Sequence, residues 1–295
     1  MELELQPGRY VVAVSGGVDS VTLLDLLTHV PGVQLIVAHY DHGIREDSIE
    51  DRKYVSALAK KYGLPFIYDM GRLGPTASEA KARRARYDFL HHVKKVSQAT
   101  AIITAHHEDD VLETIILNLL RGTNRKGLHS LRSTSTIKRP LLKTSKSVLK
   151  TYAQDQGLVW HEDSTNSNDT YLRNHIRLHI MPRINQESRA KLLQLSDDTS
   201  ALNQEIETSI VNYLHVQPAT NKLERHDFIM LPYAVAREIM ASWLRLNTEV
   251  ELSKSLLDRL VVAAQNGRNG SRVDVDAAYW LHISKHTLAL MPRDR

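Results

Sequence analysis

The chain has no cysteine among its 295 residues. Disulfides, thiolate-bound metals, iron–sulfur clusters and persulfide chemistry are therefore excluded within it. It also has no apolar run approaching the ~18–20 residues that span a bilayer. The start Met1-Glu2-Leu3-Glu4 is acidic, without the basic and then apolar layout of a secretory leader. A cytoplasmic protein with no membrane partner is the expectation, and no low-complexity tract interrupts it. Acid is missing from one long interval. Between Glu113 and Asp155 there is neither Asp nor Glu, while Arg121, Arg125, Lys126, Arg132, Lys138, Arg139, Lys143, Lys146 and Lys150 fall inside it. The net charge of +4 is modest, so it is this one-sign stretch, and not the total, that suits a polyanion larger than a nucleotide.

Charged residues make up 24% and hydrophobic ones 42%, which is globular composition. The length suits a core of ordinary size with a smaller satellite domain. The most informative stretch follows the apolar run Val11–Val14: Ser15, Gly16, Gly17, Val18, Asp19 and Ser20, leading at once into a helix-like segment. Two glycines let backbone N–H groups approach an anion, two serines add hydroxyls, and the helix N-terminus favours negative charge. No Gly-Lys-Ser/Thr follows, so this is a phosphate cradle of another type than the Walker loop. Asp19 would repel a phosphate unless a cation lay between them, which marks it as a candidate Mg²⁺ neighbour.

Apolar runs at Val11–Val14, Val33–Ala38, Pro65–Tyr68 and Ala101–Thr104 each precede a helix-like segment, at Val18–His29, Asp47–Tyr62, Ala77–Val96 and Glu108–Leu120. This alternation predicts an α/β fold, a doubly wound and mainly parallel sheet with helices on both faces. Ligands of such sheets sit at the strands' carboxyl ends, where strand order reverses. The phosphate loop and the run Thr104–Asp110 occupy two such ends, and they face each other if their strands are neighbours. Arg121–Ser135 reads as a mobile binding segment, Arg139–Leu142 as a short edge strand or turn, and Ser147–Gln156 as a helix. A catalytic domain is expected over 1–188, a helical linker over 189–216 and a small α+β domain over 217–295. In the last, helices are predicted at Ala234–Leu246 and Ser253–Ala264, and a hairpin around Val273, Val275, Leu281 and Ile283.

Asp109, Asp110 and Glu113 are three and four residues apart on one helix, so all can face one crevice. Acids complementing a helix dipole explain part of this group, but not His106 and His107 directly before them. Grouped acids can hold Mg²⁺ or a substrate ammonium, and an imidazole among them can accept a proton. Asp41, His42 and Arg45 follow the second strand at the functional edge, whereas His39 reads as a buried structural histidine. Glu79, Arg83, Arg86 and Tyr87 share a helix face, either as a surface ion pair with its neighbours or as a phosphate-contacting face beside a stacking ring. His175 and His179 have metal-compatible spacing, but Arg173, Arg177 and Arg183 around them would repel a cation.

Taken together, Ser15–Ser20 resembles the signature loop of the N-type ATP pyrophosphatases. Asp41–Arg45, Ala82–Tyr87, Thr104–Asp110 with Glu113-Thr114, Arg121-Gly122, Arg139–Leu142, Asp163–Asn166 and Arg173–Arg177 resemble one branch, the tRNA(Ile)-lysidine synthetase family, in order from about residue 10 to 183. The C-terminal portion is loosely similar to that family's small second domain, and the further C-terminal domain of longer members is expected to be absent. The resemblance implies ATP as co-substrate with Mg²⁺, L-lysine as the second substrate, and tRNA(Ile) with a CAU anticodon as the partner. The oligomeric state stays open between monomer and homodimer. By the same resemblance Ser15–Ser20 would hold ATP. His106, Asp110, Glu113, Asp41 and Arg45 would be catalytic, and Asp109, Asp110 and Glu113 would bind lysine. Arg83, Arg86, Tyr87, Arg121, Arg125, Arg173 and Arg177 would contact tRNA, with the C-terminal domain positioning it. The tRNA 2-thiolating relatives are disfavoured because this chain has no cysteine. A non-catalytic nucleotide-dependent tRNA binder has no need of Asp19 or the acid–histidine group. An amide-forming synthetase for a small metabolite leaves the basic interval unexplained.

Overall fold

A computed structural model describes residues 1, 3–43, 48–71, 79–123, 125–129, 131–161, 172–216 and 221–293. Arg45 and the run Asp163–Asn166 lie outside them. The described residues fall into two compact units, Met1–Ser200 and Ala201–Arg295.

In the first unit, β1 (Gly8–Ala13), α1 (Val18–Thr28), β2 (Val33–Asp41), α2 (Ser48–Lys61), β3 (Phe66–Met70), α3 (Glu79–Val96), β4 (Ala101–Ile103) and α4 (Glu108–Leu120) alternate as the apolar runs require. They are followed by a short α5 (Arg125–Leu128), β5 (Ile137–Lys138) and α6 (Lys146–Asp155). The five strands are parallel in the order β3-β2-β1-β4-β5. Order therefore reverses between β1 and β4, whose registers pair Tyr10 with Ala101 and Val12 with Ile103. This is the adjacency that the placing of the two motifs required.

The central strands β1, β2 and β4 are buried on both sides, as in parallel sheets generally, whereas the edge strand β3 is largely exposed. Tyr10, Val12, Leu35, Val37 and Ile103 pack on one face with Val21, Leu24, Val55, Leu149 and Ala153, contributed by α1, α2 and α6. Val11, Ile36, Ala38 and Ile102, one residue out of phase, pack on the other with Phe89, Leu90 and Val93 of α3. Each such side chain contributes roughly 1.5–3 kcal/mol on burial. Arg139–Leu142 is a turn, and the edge strand is the two residues just before it. Beyond lie α7 (Leu172–His175), a π-helical turn Ile176–Ile180, a 3₁₀ turn Met181–Arg183, and α8 (Gln186–Val216). Ile176 and Met181 bury against Leu112 and Leu117 of α4. The helix expected over 189–216 thus starts three residues earlier, and the two units divide inside it.

The second unit contains β6 (Lys222–Glu224), α9 (Arg225–Ile229), α10 (Tyr233–Asn247), α11 (Lys254–Asn266), β7 (Ser271–Asp274), β8 (Tyr279–Ile283) and β9 (Thr287–Pro292). The hairpin is present as β7–β8, within a four-stranded antiparallel sheet ordered β6-β9-β8-β7. Two strands went unread because β6 is three residues long and the turn into β9 carries no glycine. Phe228, Met240, Trp243, Leu260, Leu281 and Leu288 form its core.

Candidate active site

At the carboxyl end of β1 the chain turns through Gly16 at φ +99° and enters α1 with Gly17 as its N-cap. The N–H groups of Ser15 and Gly16 both donate to the Ser20 hydroxyl, each at 3.2 Å, and that hydroxyl donates to the Gly17 carbonyl at 2.9 Å. One oxygen thus sits where backbone donors converge, the arrangement an oxyanion would use. His161 clamps the loop from outside: its N–H donates to the Gly16 carbonyl at 3.0 Å. Its ring pairs with Asp51 at 2.7 Å and stacks on Tyr54.

Above the strand ends lies a cavity of about 390 Å³, lined by Ser15, Gly17, Asp19 and Ser20, by residues 39–43, by Thr104–His106, and by Asp51, Arg86, Leu90 and Asp110. That is ligand-sized, and it lies at the switch point of the sheet. His39 lines it but is structural in its contacts, its Nδ1 donating to the Val14 carbonyl at 2.9 Å. Asp41 is buried and accepts from the Gly43 N–H at 2.8 Å, so it shapes the turn out of β2 as well as facing the cavity.

Adjacent imidazoles at the end of β4 are driven in opposite directions. His106 accepts from or donates to Thr104 Oγ1 at 2.8 Å. Burial, then the charges of Arg139, Arg83, Arg86 and Arg173, push it well below the usual imidazole value. That direction favours the neutral imidazole. His107 is also buried, which alone would lower it. Asp19 Oδ2 at 3.5 Å, Asp110 at 3.6 Å and Asp109 at 3.7 Å outweigh burial and raise it. Such a separation is how neighbouring groups acquire different proton-transfer roles. Burial would likewise raise the Asp19 carboxyl, but hydrogen bonding and charge from His107, then Lys146 and Arg177, hold it below its usual range. Its Oδ1 is buried without a hydrogen-bond partner among the described residues.

Several expected site residues are engaged elsewhere. Both oxygens of Asp109 are taken, one by Arg189 and the other by the Lys146 N–H at 2.9 Å. It anchors α6 and α8 to α4 and is not placed to hold a lysine ammonium. Glu113 is buried and absent from the cavity wall, with Arg177 donating to both its oxygens at 2.6 and 2.8 Å. Arg173 donates to Thr114 Oγ1 at 3.0 Å and lies 3.8 Å from Glu113. Arg173 and Arg177 are thus engaged with α4, where a buried carboxylate holds a guanidinium through charge-assisted hydrogen bonds, while both side chains keep partial exposure. Arg83 and Arg86 lie over the Tyr87 ring at 4.9 and 5.7 Å, so that ring carries cations. Arg86 nonetheless reaches the cavity. The segment 121–135 is pinned in its described part: Asn118 donates to the Gly127 carbonyl and Ser196 to the Leu128 carbonyl. His107, Lys146 and His161 were not singled out as site residues from the sequence. Only His107 carried a signal, its place beside His106.

A model of the PP-loop domain matches residues 2–184. Over 97% of its length the chain is 32% identical to a tRNA(Ile)-lysidine synthase of Lactiplantibacillus plantarum, of which it covers 69%. It is 40% identical over 197 residues to a tRNA(Ile)-lysidine synthase of Enterococcus faecalis, and 41% identical over 183 residues to that of Thermus thermophilus. These matches take in 63% and 60% of the chain, and it spans only 42% and 36% of those two relatives. Among solved structures, the U34-tRNA thiolase NcsA from Methanococcus maripaludis superposes with a TM-score of 0.56 at 16% identity, over 67% of this chain and 73% of that one. That likeness establishes a shared fold.

Proposed function

The chain belongs to the tRNA(Ile)-lysidine synthase family of PP-loop proteins, and from that premise we propose that it joins L-lysine to C2 of the wobble cytidine of a CAU-anticodon tRNA(Ile). In the first step the cytidine O2 attacks the α-phosphorus of ATP and pyrophosphate leaves. In the second the lysine ε-amine attacks C2, the O2–C2 bond breaks, AMP leaves, and the nitrogen gives up its proton. A tRNA substrate supports the expectation of a cytoplasmic reaction.

The observation that carries the reading is one cavity walled by a convergent N–H loop and, across the switch point, by a neutral imidazole and a carboxylate. Ser15, Gly16 and Gly17 offer donors to the departing pyrophosphate, and Arg86 at the wall favours the triphosphate. Asp110 lines the cavity and so meets the lysine ammonium first, while Glu113 behind it is oriented by Arg177. The amine arrives charged, with a reference value near ~10.4. His106 is the proton acceptor in this reading; burial, and after it the arginines, lower its proton affinity, and triphosphate charge entering the cavity would partly offset the arginines. Asp19 fits a cation, since its buried Oδ1 lacks a hydrogen-bond partner among the described residues. Among the described residues no group of three or more His, Cys, Asp or Glu could hold a metal alone. Mg²⁺ would therefore come with ATP, held by Asp19, and would supply charge neutralisation.

The test is incubation with ATP, radiolabelled lysine and CAU-anticodon transcripts, scoring label bound to RNA. Label in the RNA with one AMP formed per lysine is expected. AMP formation without label would assign another nucleophile, and no tRNA-dependent AMP at all would sink the reading. Glu113→Ala should retain tRNA-dependent ATP–pyrophosphate exchange yet block lysine transfer. Loss of both half-reactions together would place Glu113 in adenylation instead.

A further inference from the structure

We infer that Lys146 is a phosphate-binding residue, its ammonium contacting the pyrophosphate half of the triphosphate held by Ser15–Ser20. The inference rests on the proposed function for which half of ATP the loop holds.

The loop itself contains no cation. Its one ionisable side chain is the Asp19 carboxylate, which repels the anion the backbone donors attract. Among the described residues, three basic side chains lie around Asp19. His107 is buried among Asp19, Asp109 and Asp110, and Arg177 is committed to Glu113 through two short hydrogen bonds. Lys146 differs. Its Nζ lies 3.9 Å from Asp19 Oδ2, within ion-pair range but too long for a hydrogen bond, and 46% of its side chain is exposed. An oxyanion in the loop could take the short contact that Asp19 does not make.

The position of the ammonium is set by packing. Lys146 opens α6, and its N–H is tied to Asp109 Oδ2. Further along α6, Tyr152 donates to Asp25 of α1 at 2.8 Å, and Leu149 and Ala153 are buried with Val21 and Leu24. The same α1 begins in the phosphate loop. The two helices are thus one support, and a charge that nucleotide loops often carry inside their own motif arrives from more than a hundred residues downstream.

Calorimetric titration of ATP, pyrophosphate and AMP into the wild-type chain, Lys146→Ala and Lys146→Arg tests this. K146A keeps the backbone N–H, and equal melting temperatures would establish that it folds. It should weaken ATP and pyrophosphate about 10- to 100-fold, the size of one charge-assisted hydrogen bond, and change AMP by less than twofold. K146R should recover most of the loss. ATP and pyrophosphate constants in K146A within twofold of wild type overturn the inference, as does an equal loss for AMP, or a wild-type chain that binds neither polyphosphate. Binding needs no turnover, so absence of tRNA-dependent AMP formation would sink the proposed function without deciding Lys146.

Discussion

At Gly16 the backbone holds φ at +99°, where a side chain is strained, whereas its neighbour Gly17 sits at an ordinary −75°. A Cβ on Gly17 would meet only the Ser15 hydroxyl at 3.7 Å and the His161 carbonyl at 4.0 Å. The turn thus requires Gly16, whereas nothing within the fold requires Gly17, which fits the proposal that a ligand approaches its backbone. Gly16→Ala should cost about 1–3 kcal/mol in urea unfolding. Gly17→Ala should leave stability unchanged or raise it by up to about 1 kcal/mol, yet weaken ATP binding because Gly17 lines the cavity. Normal ATP affinity in G17A would show that close backbone approach is not needed. Asp109 gives a second test. Burial would raise its carboxyl, but the Lys146 N–H and Arg189 hold it below the usual range. Its contribution is therefore complete at pH 7 and lost as pH falls through that depressed value. Asp109→Asn should be less stable than wild type by about 1–3 kcal/mol at pH 7, with the gap closing below about pH 4. A gap that stays constant between the two would mean that the charge is not what holds the helices.

Among the elements, α1, α2 and α6 act together on one face of the sheet. Asp25 of α1 accepts from Tyr62, just past α2, at 2.6 Å and from Tyr152 of α6 at 2.8 Å. Burial and then the Asp25 bond push the Tyr152 phenol up to about 12. Tyr152→Phe should destabilise by about 1 kcal/mol, and a value indistinguishable from zero would mean that apolar packing alone joins α1 to α6. α1 and α2 were readable because each follows or precedes an apolar strand and ends in a glycine or proline signal, and α6 because its helical pattern ends at Gly157. β5 and β6 were not, since two or three residues carry no period. Nothing in the local pattern of Asp25, Tyr62 and Tyr152 marked them as partners, because each meets the others only after the helices dock.

At the scale of the whole molecule, the acid-free interval is the largest asymmetry of charge. Its described part includes exposed Arg121 and the α5 residues Arg125 and Lys126, anchored by Asn118 and Ser196. Neutralising Arg121 and Arg125 together should raise the tRNA KM and flatten its dependence on salt, the log–log slope falling by roughly one for each phosphate that is no longer neutralised. ATP affinity should stay put. An unchanged salt slope would move the tRNA-binding face to another surface.

The sequence by itself determined the parallel sheet, the glycine turn after β1 and the exclusion of thiol chemistry, because strand burial, a φ that only glycine tolerates and the absence of cysteine are all local properties. Tertiary structure alone decided which acids and bases are available. Asp109 and Glu113 looked like Asp110 on one helix, yet Arg189 and Arg177 arrive from distant segments to occupy the first two and leave the third at the cavity. The two histidines at the end of β4 were equivalent as letters. They became opposite in proton affinity once folding buried both and set arginines beside His106 and carboxylates beside His107, since burial and charge interactions depend on distance in space and not on separation along the chain.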